Sequence, residues 1–259
     1  MNICLFKKKE LGSPLDIRDR RAEHLIKVLH KKVGDSFEAG VIGDSAGHAT
    51  ITAITVQDET SSDGRKTYQT GSLSFDFVPE TDGKPLNPLI MVIGFPRPIQ
   101  LKRLLRDMAG LGVAEVHLTG TELGEKSYLK SDLATSDAGY EMLLEGTEQA
   151  ASTHVPLLFH HDNLEHCLSS IEENHPGALK LALDNKAPSQ SLSSYLAQAG
   201  TCPCAVAAIG SERGWTDRER SVLCAKKYTL LGMGNRVLRT ETASTVAASL
   251  ILAALGCLD

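Results

Sequence analysis

The chain has 259 residues, of which 42% are hydrophobic, and carries 27 Lys and Arg against 32 Asp and Glu, a formal net charge of −5. That size predicts one large domain or two smaller ones with enough apolar residues for full cores, and the absence of a charge-free run of about 18 apolar residues excludes a membrane-spanning helix. The acidic balance excludes an evenly basic nucleic-acid coat, and the start, Met1 to Gly12, places a short apolar stretch before its lysines, the wrong order for a secretion signal, so a cytoplasmic location is expected.

Charge is unevenly placed. Residues 1–34 hold nine cations (Lys7, Lys8, Lys9, Arg18, Arg20, Arg21, Lys27, Lys31, Lys32) against Glu10, Asp16, Asp19 and Glu23. Such a patch can bind phosphates on a protein that is acidic overall. Within it, RRAEHLIKVLHKKVG predicts a helix with Ala22, Leu25, Ile26, Val28 and Leu29 on its apolar face and Gly34 closing it. DSFEAGVIG and HATITAITV then read as a hairpin, SLSFDFV as an alternating strand, and the polar DETSSDGRKTYQTG between them as an exposed loop. PETDGKPLNP, residues 79–88, is a proline-rich linker between a β-rich domain over 1–78 and a second domain over 89–259.

Beyond the linker the rhythm changes. LIMVIGF, EVHLTG, VPLLFH, ALKLALD, CAVAAIG and YTLLGM read as strands, and helical stretches separate them, including one long helix over SDLATSDAGYEMLLEGTEQAAS. This alternation predicts an α/β domain with a mainly parallel sheet. The final helix carries Ala243, Val246, Ala247, Leu250, Ile251, Ala254 and Leu255 at helical spacing. Thr240 is expected as its N-cap, Glu241 in its first turn complements the helix dipole, and Ser249 and Leu252 are expected to face outward.

Ligands of open α/β sheets bind beyond the carboxyl ends of the strands. Three such ends are chemically suggestive: Leu183-Asp184, then Ile209 and Gly210 running into Glu212, Arg213 and Gly214, then Leu231 and Gly232 running into Met233, Gly234 and Asn235. Glycines there permit positive φ and close approach of the backbone to a ligand. No phosphate-binding G-x-x-x-x-G-K-[ST] loop and no early G-x-G-x-x-G occurs, which argues against a nucleoside triphosphate or a dinucleotide. The six cysteines (Cys4, Cys167, Cys202, Cys204, Cys224, Cys257) are scattered and read as reduced, small hydrophobes. His160, His161 and His166 cluster without a second group at ligand spacing, so no metal site is expected.

Four stretches resemble one family. MGNRVLRTETA is similar to the L-G-x-R-I-L-R-x-E-T-A signature of the RsmE-type 16S ribosomal RNA (uracil-N3) methyltransferases of the SPOUT superfamily. IGSERGWTDRE resembles the family's I-G-P-E-G-G-F loop, HLIKVLHKKVGD its H-L-x-x-V-L-R-x-x-x-G-D stretch, and LKRLLRDMAGLGVAEVHL the helix that ends in E-L-G-V. The resemblance implies an N-terminal PUA-like β-barrel domain, an α/β methyltransferase domain with a trefoil knot, bound S-adenosyl-L-methionine, and a homodimer acting on ribosomal RNA or the small ribosomal subunit.

It also implies roles. Leu183, Asp184, Ile209, Gly210, Glu212, Gly214, Leu231, Gly232, Met233, Gly234, Asn235, Val237 and Leu238 would hold the cofactor; Arg236, Arg239 and Glu241 would serve catalysis; Arg20, Arg21, Lys27, Lys31, Lys32 and Lys126 would hold RNA. A cationic arginine, Arg239 or Arg236, would stabilise a uracil anion once the N3 proton has left, with Glu212 or Glu241 orienting it. Departures from the pattern fall at Ser211 and Arg213 in the glycine loop, and at His30, Lys126 and Ser152, where the family has arginine. They leave two other readings open: a methyltransferase of the same fold with a different RNA target, or a non-catalytic RNA-binding protein of ribosome assembly.

Overall fold

The computed structural model describes residues 1–60, 67–200 and 202–258. They form two compact units, Met1–Pro85 with Glu148–His154, and Leu86–Thr147 with Val155–Asp259.

The first unit is a five-stranded sheet. It contains β1 (Cys4–Phe6), β2 (Leu15–Asp16), β3 (Ser36–Val41), β4 (Ala46–Thr60) and β5 (Thr67–Thr81), in the order β1-β3-β4-β5-β2. β1 lies parallel to β3 and the other pairs are antiparallel. Alternation puts Phe37, Ala39, Ala49, Ile51, Leu73 and Phe75 on one buried face with Phe6 and Leu25. Phe75 packs on Phe6 with the rings tilted by 32° at 4.6 Å and meets Phe37 edge-on at 6.0 Å. β4 and β5 extend the ribbon into the stretch expected to be a loop; Asp58–Thr60 pair with Thr67–Gln69, and residues 61–66 of that expectation lie outside the described ones. The segment Glu148–His154, of which residues 148–152 read from sequence as helix end in the second domain, belongs to the first unit, where the N–H groups of Asn2 and Ile3 donate to the Glu148 carbonyl at 3.1 and 3.2 Å.

The expected N-terminal helix is shorter than its pattern. α1 (Arg20–Glu23) is capped by the Asp19 carboxylate, which accepts from the Arg21 N–H, and continues as one wider turn over His24–Val28. There the Leu29 N–H donates to the His24 carbonyl, five residues back. Widening turns the face, so Ala22 and Leu25 are buried while Val28 and Leu29, expected inside, are 61% and 46% exposed.

The second unit is built on a seven-stranded, fully parallel sheet of β6 (Asn87–Gly94), β7 (Val113–Thr119), β8 (Leu157–His161), β9 (Leu179–Leu183), β10 (Gln190–Ser191), β11 (Ala205–Ile209) and β12 (Thr229–Gly232), in the order β10-β12-β9-β11-β6-β7-β8. The helices are α2 (Pro98–Gly110), α3 (Asp132–Thr135), α4 (Ala138–Gln149), α5 (Leu164–Asn174), α6 (Leu192–Ala199), α7 (Asp217–Ala225) and α8 (Thr240–Ala254). The single long helix expected over 131–152 is therefore two, α3 and α4. Both faces of the sheet are covered, as a parallel sheet requires. Leu89, Met91 and Ile93 of β6 pack in a core with α2 and α8, and Ile90 and Val92 pack in a second core with α5 and α7.

α8 is anchored differently from its sequence pattern. Its N-cap is Arg239 rather than Thr240, and its buried face is Thr240, Ala243, Ser244, Ala247, Ala248, Ile251 and Leu252. Ser244 is tolerated inside because its hydroxyl donates to the Thr240 carbonyl at 2.8 Å. Leu252, expected to face outward, is fully buried, and Leu250, expected inside, is exposed.

Candidate active site

The order β12-β9-β11-β6 sets the carboxyl ends of three crossover strands side by side. Their loops enclose a cavity of about 200 Å3. Every residue read as cofactor-binding lines it except Gly232 and Asn235. Arg236 lines it as well; Arg239 and Glu241 do not. Asn185, Lys186, Ser211, Arg213, Thr240 and Ala243 also line it and were missed as site residues, since only the convergence of the loops, and no motif spacing, brings them to the wall.

Glycines act at defined points. The N–H of Gly214 donates to the Ser211 carbonyl at 2.8 Å, and Gly214 takes φ +71° to close this turn. Arg213 stands one residue earlier, outside the left-handed region, so the backbone accepts a bulky residue there. A Cβ on Gly94 would lie 2.4 Å from the Ser211 nitrogen, which shows how tightly the end of β6 packs under this loop. Gly234 takes φ +96°.

The walls are held from behind. Trp215, 1% exposed, donates its indole N–H to the Leu183 carbonyl at 3.0 Å. Arg220 forks onto Asp184 with hydrogen bonds of 2.9 and 3.0 Å, and Asp184 also accepts from the Ala187 N–H. Burial opposes the Asp184 charge most strongly, but the hydrogen bonds and charge of Arg220 together with the backbone N–H groups of Ala187 and Lys186 outweigh it and hold the carboxyl below its ordinary range. This carboxylate is therefore a structural brace whose fork is already occupied. α7 starts with a capping box: the Thr216 hydroxyl accepts from the Glu219 N–H, and Glu219 accepts from the N–H groups of Thr216 and Glu122.

The rim is polar. Arg97, N-cap of α2, lies 3.5 Å from Glu212. Among the described residues no carboxylate pairs with Arg213, Arg236 or Arg239, and the buried hydroxyl of Ser211 has no hydrogen-bond partner. Lys126 is exposed between β7 and α3. Arg20, Arg21, Lys27, Lys31 and Lys32 all lie in the first unit. Ser152 there is buried, donating to the Lys84 carbonyl and accepting from the His154 N–H.

A cavity at the carboxyl rim of a parallel sheet, roofed by an arginine-bearing loop, defines the class: the RNA methyltransferase domain family matches residues 83–252. Over 98% of its length the chain is 37% identical to ribosomal RNA small subunit methyltransferase E of Treponema pallidum, covering 91% of that protein. It is 28% identical over 98% of both chains to ribosomal RNA small subunit methyltransferase E 1 of Borreliella burgdorferi. The chain belongs to the ribosomal RNA small subunit methyltransferase E family. The same fold occurs in a methyltransferase E from Neisseria gonorrhoeae solved bound to S-adenosyl methionine (18% identity, TM-score 0.70, 98% of this chain and 97% of that one). A probable rRNA-methyltransferase from Porphyromonas gingivalis shares it too (16% identity, TM-score 0.73, all of both chains).

Proposed function

We propose that the protein transfers a methyl group from S-adenosyl-L-methionine to N3 of a uridine in small-subunit ribosomal RNA. The observation that carries this reading is the convergence of three βα loops on one cavity whose arginines lack carboxylate partners among the described residues. The cavity suits the cofactor. Leu183, Ile209, Leu231, Met233, Leu238 and Ala243 offer an apolar slot for a flat heteroaromatic ring, and Gly210 leaves its wall free of a side chain. The Ser211 hydroxyl, without a partner among the described residues, Arg213 and Arg236 are available for hydroxyl and carboxylate groups, and Glu212, 3.5 Å from Arg97 at the rim, for an ammonium. When bound, the cofactor supplies an electrophilic methyl on a sulfonium.

The protein's own task is to orient the acceptor and stabilise its charge. Neutral uracil N3 carries a proton and no free lone pair, so the proton must leave as the bond forms. Arg239, at the mouth of α8, and Arg236, on the cavity wall, are the cations that would stabilise the uracil anion. N3 lies on the pairing edge, so the base must be unpaired or extruded. The basic residues of the first unit would hold the flanking phosphates. Under this reading the first unit is a PUA-like RNA platform, the second carries the family's trefoil knot through its three site loops, and the protein works as a homodimer; exposed Val237, Leu250 and Leu258 suit an interface at the end of the chain.

Arg213 on the cavity wall and the replacement of arginine by Lys126 favour one second reading, the same chemistry on a different RNA. Nucleoside mass spectrometry of ribosomal RNA from cells lacking the protein decides between them. Loss of 3-methyluridine from small-subunit RNA is expected; loss of another methylated nucleoside selects the second reading. Calorimetry in which the protein takes up no S-adenosyl-L-methionine overturns both.

A further inference from the structure

The far edge of the sheet carries a second cluster that methyl transfer does not use. His117 of β7 and His161 of β8 stack at 5.2 Å with only 9° between their rings, and His117 Nδ1 lies 2.9 Å from His161 Nε2. Cys167 of α5 points at the same spot; one ligand atom from each of the three residues falls within 4.8 Å of the others. We propose that His117, His161 and Cys167 bind a zinc ion that ties β7, β8 and α5 together.

The geometry is near what the ion needs. Tetrahedral zinc with bonds of about 2.0–2.1 Å to nitrogen and 2.3 Å to sulfur sets its ligand atoms about 3.3–3.7 Å apart. Small side-chain rotations therefore suffice: the nitrogens separate slightly and the sulfur closes in. Behind His117 stands the support that ligating imidazoles use. Its Nε2 lies 2.8 Å from one oxygen of Glu115, whose other oxygen is 3.1 Å from His175 Nε2. A proton on Nε2 donated to Glu115 leaves the Nδ1 lone pair aimed at the site. Phe159 stacks on His117 at 4.5 Å and dries one side. His117 and Cys167 are buried and His161 is half-buried, so a fourth position opens to water on the His161 side, the arrangement of a three-ligand zinc site.

A histidine pair hydrogen-bonded to itself accounts for the two rings; the buried Cys167, part of the core on that side of the sheet, adds a sulfur within 4.8 Å of both. Mixed imidazole and thiolate ligands suit zinc better than the hard cations. Protons balance as follows: the Cys167 thiol releases one to solvent, and His161 moves its proton from Nε2 to Nδ1, so one proton leaves per ion bound. The ion has mechanical value here because β8 is an edge strand with Leu157 55% and Phe159 38% exposed, held weakly by apolar packing. Of the histidine cluster visible in sequence only His161 takes part: His160 lies against Phe95, and His166 follows the Asn163 cap of α5. His117 is 44 residues from His161 in the chain, and only the pairing of β7 with β8 joins them.

Cobalt titration of the full chain tests the site. One equivalent of Co2+ should bind, displaceable by Zn2+, with a thiolate-to-cobalt charge-transfer band and one proton released. Cys167→Ser should abolish the band, and His161→Ala, at a half-buried position that keeps the fold, should abolish tight binding. Glu115→Gln should weaken it by about 10–100-fold. A Cys202→Ser/Cys204→Ser double variant should leave the band intact. No band in the parent protein overturns the proposal, as does a band that survives His161→Ala or disappears with Cys202 and Cys204; should Cys167→Ser not fold, the His161 variant decides.

Discussion

Cations of the first unit and cations of the cavity loops are used in opposite ways. In the first unit Arg18 pairs with Asp16, Arg20 with Glu148, Lys27 with Glu23, and Arg21 with both Asp19 and Glu10. Burial works against the Arg21 charge, but its hydrogen bonds to Asp19 and Glu10 prevail and raise its pKa; the guanidinium also lies 4.9 Å above the Phe6 ring. Around the cavity Arg213, Arg236 and Arg239 have no such partners among the described residues. A local excess of basic residues in the sequence is therefore no measure of charge available to RNA. Pairing separates arginines that hold the fold from those whose charge stays free of a carboxylate among the described residues.

The largest effect should come from breaking a paired, buried cation. Arg220→Ala strands the Asp184 carboxylate, with side chains only 9% and 1% exposed, and should cost about 3–5 kcal/mol in denaturant unfolding. The Asp184 carboxyl is held low in the folded state, so its contribution is complete above the ordinary carboxylate range and is lost as pH falls through the lowered value. That acid-side loss should vanish in Arg220→Ala.

Next is an unpaired cation. Arg239→Ala should lower single-turnover methylation by about 100- to 1,000-fold, as loss of one donor to a developing anion does, while the melting midpoint stays put. A fall in stability instead would place Arg239 among the structural arginines.

The proposed RNA platform sharpens the contrast further. Lys32 is exposed, and the Lys31 ammonium donates to the Ser36 carbonyl at 2.9 Å, a neutral partner that leaves its charge uncompensated. Lys31→Ala with Lys32→Ala should flatten the salt dependence of RNA binding by about 0.7–0.9 for each phosphate no longer neutralised and leave cofactor affinity unchanged. Arg21→Ala should do the reverse, lowering stability with little change in that slope. An unchanged slope in the lysine variant removes the first unit as the RNA platform.

The smallest effect is at His48, exposed between Glu80 and Glu38 at 2.9 and 2.8 Å. The Glu80 hydrogen bond, then the charges of Glu38 and Glu80, raise its pKa above 6.5. The stabilisation is present below that ordinary value and lost as pH rises through the raised one. His48→Gln should therefore lower the melting midpoint slightly at pH 5 and not at pH 9.

Strand periodicity and glycine placement made the parallel sheet and most of the cavity wall legible in the amino-acid sequence. Short apolar runs predicted the strands of the parallel sheet, and glycines at strand ends marked the loops that line the cavity. What failed was local and has physical causes. The widened turn at His24–Val28 moved Val28 and Leu29 from inside to outside. The N-cap of α8 shifted by one residue, and the buried face took Ser244 and Leu252 in place of Leu250, because an internal hydrogen bond satisfied the serine. Asp184 lines the cavity as expected, but no local pattern showed that Arg220 holds its carboxylate.

By itself the sequence determined the elements, since hydrophobic period and turn chemistry act within a few residues of chain. It also determined the family, because the arginine-bearing signature and the glycine loop are contiguous. Tertiary structure alone decided which charges are free, which polar residues are braces, and which distant histidines meet. Those outcomes depend on strand order and register, which bring His117 to His161 and Arg220 to Asp184 across 44 and 36 positions. No local pattern encodes such encounters, because the energy that selects them is the packing of whole elements against one another.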